Sequence, residues 1–199
     1  MIVIAHRVNT IEQLEQTPIG YGVEVDLRDY DGQIVVQHDP WKNGEAFQRY
    51  MEHFRHRFIV LNVKCEGIEE EVLRIVKTRK VEDFFFLDLS FPALVKLVRR
   101  GERRIAVRFS EHEPIEGCLA VAGKVDWIWV DCFTDFPPTL PQRERVLGEF
   151  RTCLVAPELQ GRAPLEAAPA RTAVERFEAS AVCTKFPQTW AALTPERSK

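Results

Sequence analysis

Short runs of apolar and β-branched residues recur along the whole chain and predict about eight strands. They cover residues 2–5, 22–27, 58–63, 84–87, 104–109, 127–130, 153–156 and 181–183. The runs are continuous rather than alternating, which is typical of strands that are covered on both faces. We therefore expect parallel strands that pack beneath helices.

The segments between these runs carry the apolar period of amphipathic helices. Two are clear, residues 67–78 and 90–100, and in the second Ser90 is a predicted N-cap and Gly101 a predicted stop signal. Weaker helical patterns cover residues 45–54, 116–123, 142–150 and 165–177. Strands and helices therefore alternate along the chain.

Successive strand starts lie 20 to 36 residues apart, which is the length of one βα unit. Eight such units predict an α/β fold, a compact (β/α)8 TIM barrel, with residues 1–199 forming a single domain. An open doubly wound sheet is the alternative. Asp31-Gly32 is a strong hairpin signal and predicts a small β-hairpin extension after the second strand.

Composition and charge exclude several classes of protein. The chain has 199 residues, of which 45% are hydrophobic, so it can bury a core and is neither disordered nor a small disulfide scaffold. Its net charge is −3 and its basic residues are scattered, so we expect no nucleic-acid partner. No apolar run reaches the roughly 18 residues of a membrane span, and no leader precedes the first strand, so we expect a cytoplasmic location. The five cysteines are widely spaced and predict buried reduced thiols.

Polar residues follow the predicted strands, at the end of a barrel where active sites are built. Glu24 and Asp26 are separated by one residue, so both carboxylates face the same side of their strand. A hard divalent cation such as Mg²⁺ or Ca²⁺ fits two inward carboxylates. The alternative is that one acid pairs with Lys64 and the other lies in a polar network.

Two histidines, His6 and His38, each follow an apolar run. Histidine exchanges protons near neutral pH, so the two could supply a general base and a general acid. Core histidines that bond a backbone carbonyl are the alternative. His53, His56 and His112 lie among charged residues and are predicted to be on the surface.

Three motifs in order, His6-Arg7, Glu24-x-Asp26 and His38-Asp39-Pro40, resemble the signature of the glycerophosphodiester phosphodiesterase family. Asn9-Thr10, Leu61-Asn62-Val63-Lys64 and Cys183-Thr184-Lys185-Phe186-Pro187 are similar to further elements of that family. The resemblance implies a (β/α)8 barrel that hydrolyses a small-molecule glycerophosphodiester with a divalent metal.

The resemblance also implies roles for individual residues. His6 and His38 match the acid–base pair, Glu24 and Asp26 match metal ligands, and Arg7 matches a phosphate contact. A metal would withdraw charge from the phosphoryl oxygens while Arg7 and Lys64 stabilise the transition state. Asn62 stands in the place of a third, acidic metal ligand and offers a carbonyl oxygen. Lys185 stands where the family often has aspartate and adds positive charge for the phosphate.

The chain also departs from the family pattern. Val8 replaces a glycine in a shortened first loop, and the insertion that commonly follows the His-Asp motif is largely absent. Glu66 could compensate for Asn62 as a metal ligand. The leading hypothesis is a metal-dependent phosphodiesterase. The alternatives are a lyase-type variant that releases a cyclic phosphate, a barrel without turnover that binds a phosphorylated ligand or a partner protein, and an unrelated α/β protein.

Overall fold

The computed structural model describes residues 1–134, 143–145 and 148–193. The chain divides into two compact units. One is residues 6–105, and the other combines residues 1–5 with the described part of residues 106–199. The single domain expected over residues 1–199 stays a prediction.

The unit of residues 6–105 is built on parallel strands with an antiparallel addition. Its strands are β2 (Gly22–Tyr30), β3 (Gln33–Val36), β4 (Glu45–Ala46), β5 (Phe58–Val63) and β6 (Phe84–Leu87). β2 pairs in parallel with β5, and β5 pairs in parallel with β6. The register places Asp26 opposite Asn62, so two candidate site residues lie side by side on neighbouring strands.

The predicted hairpin is confirmed. β2 and β3 pair in antiparallel register from Leu27↔Val36 to Tyr30↔Gln33. Asp31 and Gly32 between them have φ angles of 52° and 74°, and two successive positive φ angles are what a tight hairpin turn requires. The hairpin continues into the short strand β4, which pairs with β3.

Four helices flank these strands: α1 (Ile11–Gln16), α2 (Phe47–His53), α3 (Glu69–Thr78) and α4 (Phe91–Arg99). The Ser90 hydroxyl accepts from the backbone N–H of Ala93, which confirms the predicted N-cap of α4. α1 begins after a capping box in which Thr10 and Gln13 satisfy each other's backbone donors. Residues 45–46 form a strand rather than the first turn of the predicted helix.

The second unit contains the parallel strands β1 (Ile2–Ala5), β7 (Ala106–Phe109), β8 (Trp127–Val130), β9 (Arg151–Val155) and β10 (Ala181–Thr184). They pair in the order β1, β10, β9, β8, β7. The helices are α5 (Ile115–Leu119), α6 (Ala167–Arg176) and α7 (Pro187–Leu193), with 3₁₀ turns at Arg143–Arg145 and Pro157–Gln160. Of the helix predicted over residues 142–150, residues 142, 146 and 147 lie outside the described residues, and the described residues form a 3₁₀ turn at Arg143–Arg145 rather than an α-helix.

All eight predicted runs form strands, and their side chains supply most of the buried core. All five cysteines are reduced thiols, four of them buried.

His56 corrects the surface prediction: it is 8% exposed, and its Nε2 lies 2.8 Å from the carbonyl oxygen of Thr17. Its charged neighbours in sequence misled the prediction, because Arg55 and Arg57 are exposed on either side of it. Within residues 1–134, 143–145 and 148–193, no helix is both long and apolar enough to cross a membrane.

Candidate active site

Two carboxylates lie at the centre of the candidate site. Glu24 and Asp26 are on β2, two residues apart, and each is 1% exposed. Burial and the neighbouring charge of Asp26 raise the pKa of Glu24 from 4.5 to about 7. The predicted placement of both acids on one face is therefore confirmed, and their proximity makes a second negative charge costly.

The hydrogen bonds of Glu24 are donated by neutral groups. Its Oε1 accepts from Asn62 Nδ2 at 2.8 Å and its Oε2 accepts from the backbone N–H of Arg7 at 2.7 Å. The Asn62 Oδ1 atom is buried and receives no hydrogen bond from any residue that the structure describes. Asn62, which bonds Glu24 through its Nδ2, therefore has a carbonyl oxygen that no described residue satisfies.

The cations of the site are close to Asp26 instead. Lys64 Nζ lies 3.6 Å from Asp26 Oδ1, and Arg7 Nε lies 3.6 Å from Asp26 Oδ2. Lys64 also donates to Asp88 at 3.0 Å. The alternative from the sequence, in which one acid pairs with Lys64 and the other joins a polar network, therefore describes these contacts. This arrangement is compatible with both acids lying buried on one face of β2.

The first loop, residues 6–10, is hydrogen-bonded to β2. The Asn9 side chain donates from Nδ2 to Asp26 Oδ2 at 2.8 Å and accepts from the Asp26 backbone N–H at 3.0 Å. The backbone N–H of Val8 donates to the carbonyl of Glu24, and the Tyr50 hydroxyl donates to the carbonyl of Val8. Asn9 belonged to a sequence motif but was not predicted as a site residue. Its two hydrogen bonds to Asp26 show that it is part of the candidate site.

The two histidines differ in their surroundings. His6 Nε2 lies 3.8 Å from Glu24 Oε2. The His38 side chain is 40% exposed, and its Nδ1 lies 2.9 Å from Asp39 Oδ1. Hydrogen bonds from His38 and Lys42 lower the pKa of Asp39 to about 2, so Asp39 is a carboxylate that accepts a hydrogen bond from the Nδ1–H group of His38. This interaction favours the tautomer in which Nε2 of His38 accepts hydrogen bonds.

Lys185 belongs to the other unit. Its ammonium donates to the carbonyl of Glu158 at 2.9 Å, and its backbone N–H donates to Glu158 Oε1 at 3.2 Å. The Thr184 hydroxyl donates to the same carboxylate oxygen. The structure gives Lys185 these partners, and its predicted phosphate contact stays a prediction.

Oxygen donors that suit a hard cation are present around Glu24. They comprise two buried carboxylates and the Asn62 Oδ1 atom, which accepts no hydrogen bond from the described residues. In the described part of the chain, no three His, Cys, Asp or Glu side chains stand together as a ready metal site. A cation here would therefore need Asn62 or water among its ligands. The oxygen atoms present are of the kind that Mg²⁺ and Ca²⁺ prefer.

Several solved structures of glycerophosphodiester phosphodiesterases share this fold. The enzyme from Agrobacterium tumefaciens matches with a TM-score of 0.66 and 14% identity, over 96% of this chain and 99% of that chain. A glycerophosphoryl diester phosphodiesterase from Parabacteroides distasonis matches with a TM-score of 0.69 and 14% identity, over 100% of this chain and 88% of that chain. No family model and no curated protein sequence matches this chain. The matches confirm the predicted (β/α)8 barrel fold class and, at the level of the fold, the resemblance seen in the motifs.

Proposed function

We propose that this protein hydrolyses a small phosphodiester of the glycerophosphodiester type. The observation that carries the proposal is the grouping of His6, Arg7 and Lys64 around the buried carboxylates Glu24 and Asp26. The fold shared with solved glycerophosphodiester phosphodiesterases supports it.

Arg7 and Lys64 would bind the phosphoryl group. The Arg7 side chain is 47% exposed, and its Nε lies 3.6 Å from Asp26 Oδ2; a guanidinium has five N–H groups, so it has further donors for a phosphoryl oxygen. Lys64 supplies a second positive charge from the adjacent strand. Two cations held by a buried carboxylate are preorganised for the negative charge that develops in the transition state.

The two imidazoles would move the protons. In the proposed step a water oxygen attacks phosphorus as the bond to one alcohol oxygen breaks. His38, whose Nδ1 is engaged by Asp39, would accept the water proton at Nε2. His6, beside the Glu24 carboxyl, would donate a proton to the leaving alcohol. Hydrolysis then yields a phosphomonoester and an alcohol.

We further propose that the site uses a divalent cation, Mg²⁺ or Ca²⁺, held by Glu24, Asp26 and Asn62. Arg7 and Lys64 reach Asp26, whereas among the described residues no lysine or arginine forms an ion pair with Glu24. The raised pKa of Glu24 and the unbonded Asn62 Oδ1 indicate a place for positive charge. When bound, such an ion supplies Lewis-acid polarisation of a phosphoryl oxygen.

A protein that binds a phosphorylated ligand without turnover is the second candidate. It is favoured by the neutral Asn62 and by Asp26, whose carboxylate already has Arg7, Lys64 and Asn9 as partners. In that case Arg7 and Lys64 would hold the phosphate with no need for a metal.

The test is turnover by the purified protein of glycerophosphocholine and bis(p-nitrophenyl) phosphate, with EDTA or with Mg²⁺, Ca²⁺ or Mn²⁺. We expect metal-dependent hydrolysis, and phosphorus NMR distinguishes a monoester product from a cyclic phosphate. His38→Ala should lower kcat by about 10²- to 10⁴-fold, the usual contribution of a general base or acid. His53→Ala is the matched control, because His53 pairs with Glu15 on the surface.

Inactivity with all three metals, combined with tight phosphate binding in EDTA, would replace the enzyme proposal with the binding candidate. A His38→Ala protein with the wild-type rate would remove His38 from the reaction. A cyclic product would indicate that a substrate hydroxyl, rather than water, attacks phosphorus.

A further inference from the structure

A third polar residue, Arg28, follows Glu24 and Asp26 on the same strand. The three are spaced by two along β2, so the strand's alternation directs them to one face. Glu24 and Asp26 are fully buried, whereas Arg28 is half-buried near the end of the strand. The arginine is thus the outermost member of the polar stripe that forms the site.

The Arg28 guanidinium connects two segments that carry proposed site residues. Its Nε donates to the carbonyl of His38 at 2.8 Å, and its Nη1 donates to the carbonyl of Lys64 at 2.9 Å. His38 follows β3 and Lys64 follows β5, so the two carbonyls come from chain segments on different sides of β2. One side chain therefore bonds the backbone of both residues.

We propose that Arg28 is a positioning residue that holds His38 and Lys64 in register at the site; this inference rests on the proposed function. On each side of β2, the backbone hydrogen bonding to the strand ends close to these residues. The Gln37 N–H donates to the Asp26 carbonyl and the Lys64 N–H donates to the Leu27 carbonyl, both at 2.9 Å. Beyond them the chain leaves the sheet, and Arg28 supplies the next attachment on each side.

The chemistry of the guanidinium suits this role. It is planar and its donors have fixed directions, so two bonds from one group set the distance between the two carbonyls. Bonds from a charged donor are also stronger than neutral ones. Lysine at this position would donate from a single flexible ammonium and would not reproduce the fixed pair.

The kinetic test compares Arg28→Gln and Arg28→Lys with the wild type on bis(p-nitrophenyl) phosphate. Small misplacement of reacting groups can cost about a hundredfold in rate, so we expect kcat of Arg28→Gln to fall by about 10- to 100-fold. We expect KM to change much less and Arg28→Lys to recover part of the loss. Addition of methylguanidinium to Arg28→Ala should restore part of kcat.

Arg55→Gln is the matched control. Arg55 also donates from its guanidinium to two backbone carbonyls, those of Glu52 and Phe54, at 2.9 and 2.6 Å. These carbonyls lie at the end of α2, and neither belongs to a proposed catalytic residue. We expect wild-type kcat in this variant. If kcat falls only in the Arg28 variants, the fall is not a general effect of removing an arginine that bonds two backbone carbonyls.

A second measurement does not depend on turnover. Hydrogen exchange followed by mass spectrometry should show faster exchange in residues 37–44 and 64–67 together in Arg28→Gln, and in neither segment in Arg55→Gln. If the wild type hydrolyses no diester, the proposed function fails, while faster exchange in both segments would still support the connection by Arg28. Unchanged exchange, or faster exchange with wild-type kcat, would overturn the positioning role.

Discussion

Replacing Glu24 by glutamine should remove part of the pH dependence of the free energy of unfolding. The Glu24 pKa rises from 4.5 to about 7 in the folded protein because the carboxyl is buried beside Asp26. A folded-state pKa above the unfolded value means that the folded protein binds the proton more tightly. Glu24 therefore lowers the free energy of unfolding as pH rises from about 4.5 to 7, and the loss is complete above that range.

The size of this effect follows from the two pKa values. A change from 4.5 to about 7 corresponds to about 3 kcal/mol, since one pKa unit is worth about 1.4 kcal/mol. Glutamine keeps the side-chain length and cannot ionise. Its altered hydrogen bonds to Asn62 and to the Arg7 backbone add a contribution that does not depend on pH. The free energy of unfolding of Glu24→Gln minus that of the wild type should therefore increase by about 3 kcal/mol from acidic to alkaline pH.

Urea unfolding followed by far-UV circular dichroism at a series of pH values measures this difference, in EDTA to exclude divalent ions. The matched control is Glu12→Gln, which removes an exposed acid in α1. A Glu24→Gln difference that does not change with pH would show that Glu24 ionises normally, and would refute the mutual repulsion on which the cation proposal depends. Saturating Mg²⁺ should reduce the wild-type slope if the ion binds there.

Two further substitutions test the metal ligand and the loop that carries the second histidine. Asn62→Glu should tighten Mg²⁺ binding by about tenfold or more in calorimetry, since it adds a negative ligand; unchanged affinity would place Asn62 away from the ion. Gly44→Ala would bring a Cβ to within 2.3 Å of the Val36 carbonyl oxygen, so it should cost about 1–3 kcal/mol in urea unfolding and lower turnover. Gly20→Ala, with nothing within 4 Å of its new Cβ, should be near neutral, and equal effects of the two glycine changes would contradict the close approach at Gly44.

Local patterns in the sequence were sufficient for the strands and for the two central acids. Continuous apolar runs predict buried strands because a strand covered on both faces needs apolar side chains on both. The two-residue spacing of Glu24 and Asp26 predicts a shared face because side chains alternate along a strand. The Asp31-Gly32 turn was equally predictable, since the positive φ angles of that hairpin turn favour this pair of residues.

The same alternation could have identified Arg28, which continues the stripe of Glu24 and Asp26 along β2. Its partners could not be read in this way, because the His38 and Lys64 carbonyls are brought to it by a hairpin and by a parallel strand pairing. The capping box at Thr10 and Gln13 was also a local signal for α1.

Which acid each cation approaches was decided by the tertiary structure. The sequence could not show that Arg7 and Lys64 both approach Asp26, that Glu24 receives neutral donors, or that Asn62 keeps a buried oxygen without a donor among the described residues. These contacts join segments about 17 to 38 residues apart, and they depend on backbone positions that no short pattern encodes. Local spacing sets the direction in which a side chain points, whereas burial and the neighbours it meets there arise only when distant strands and loops pack together.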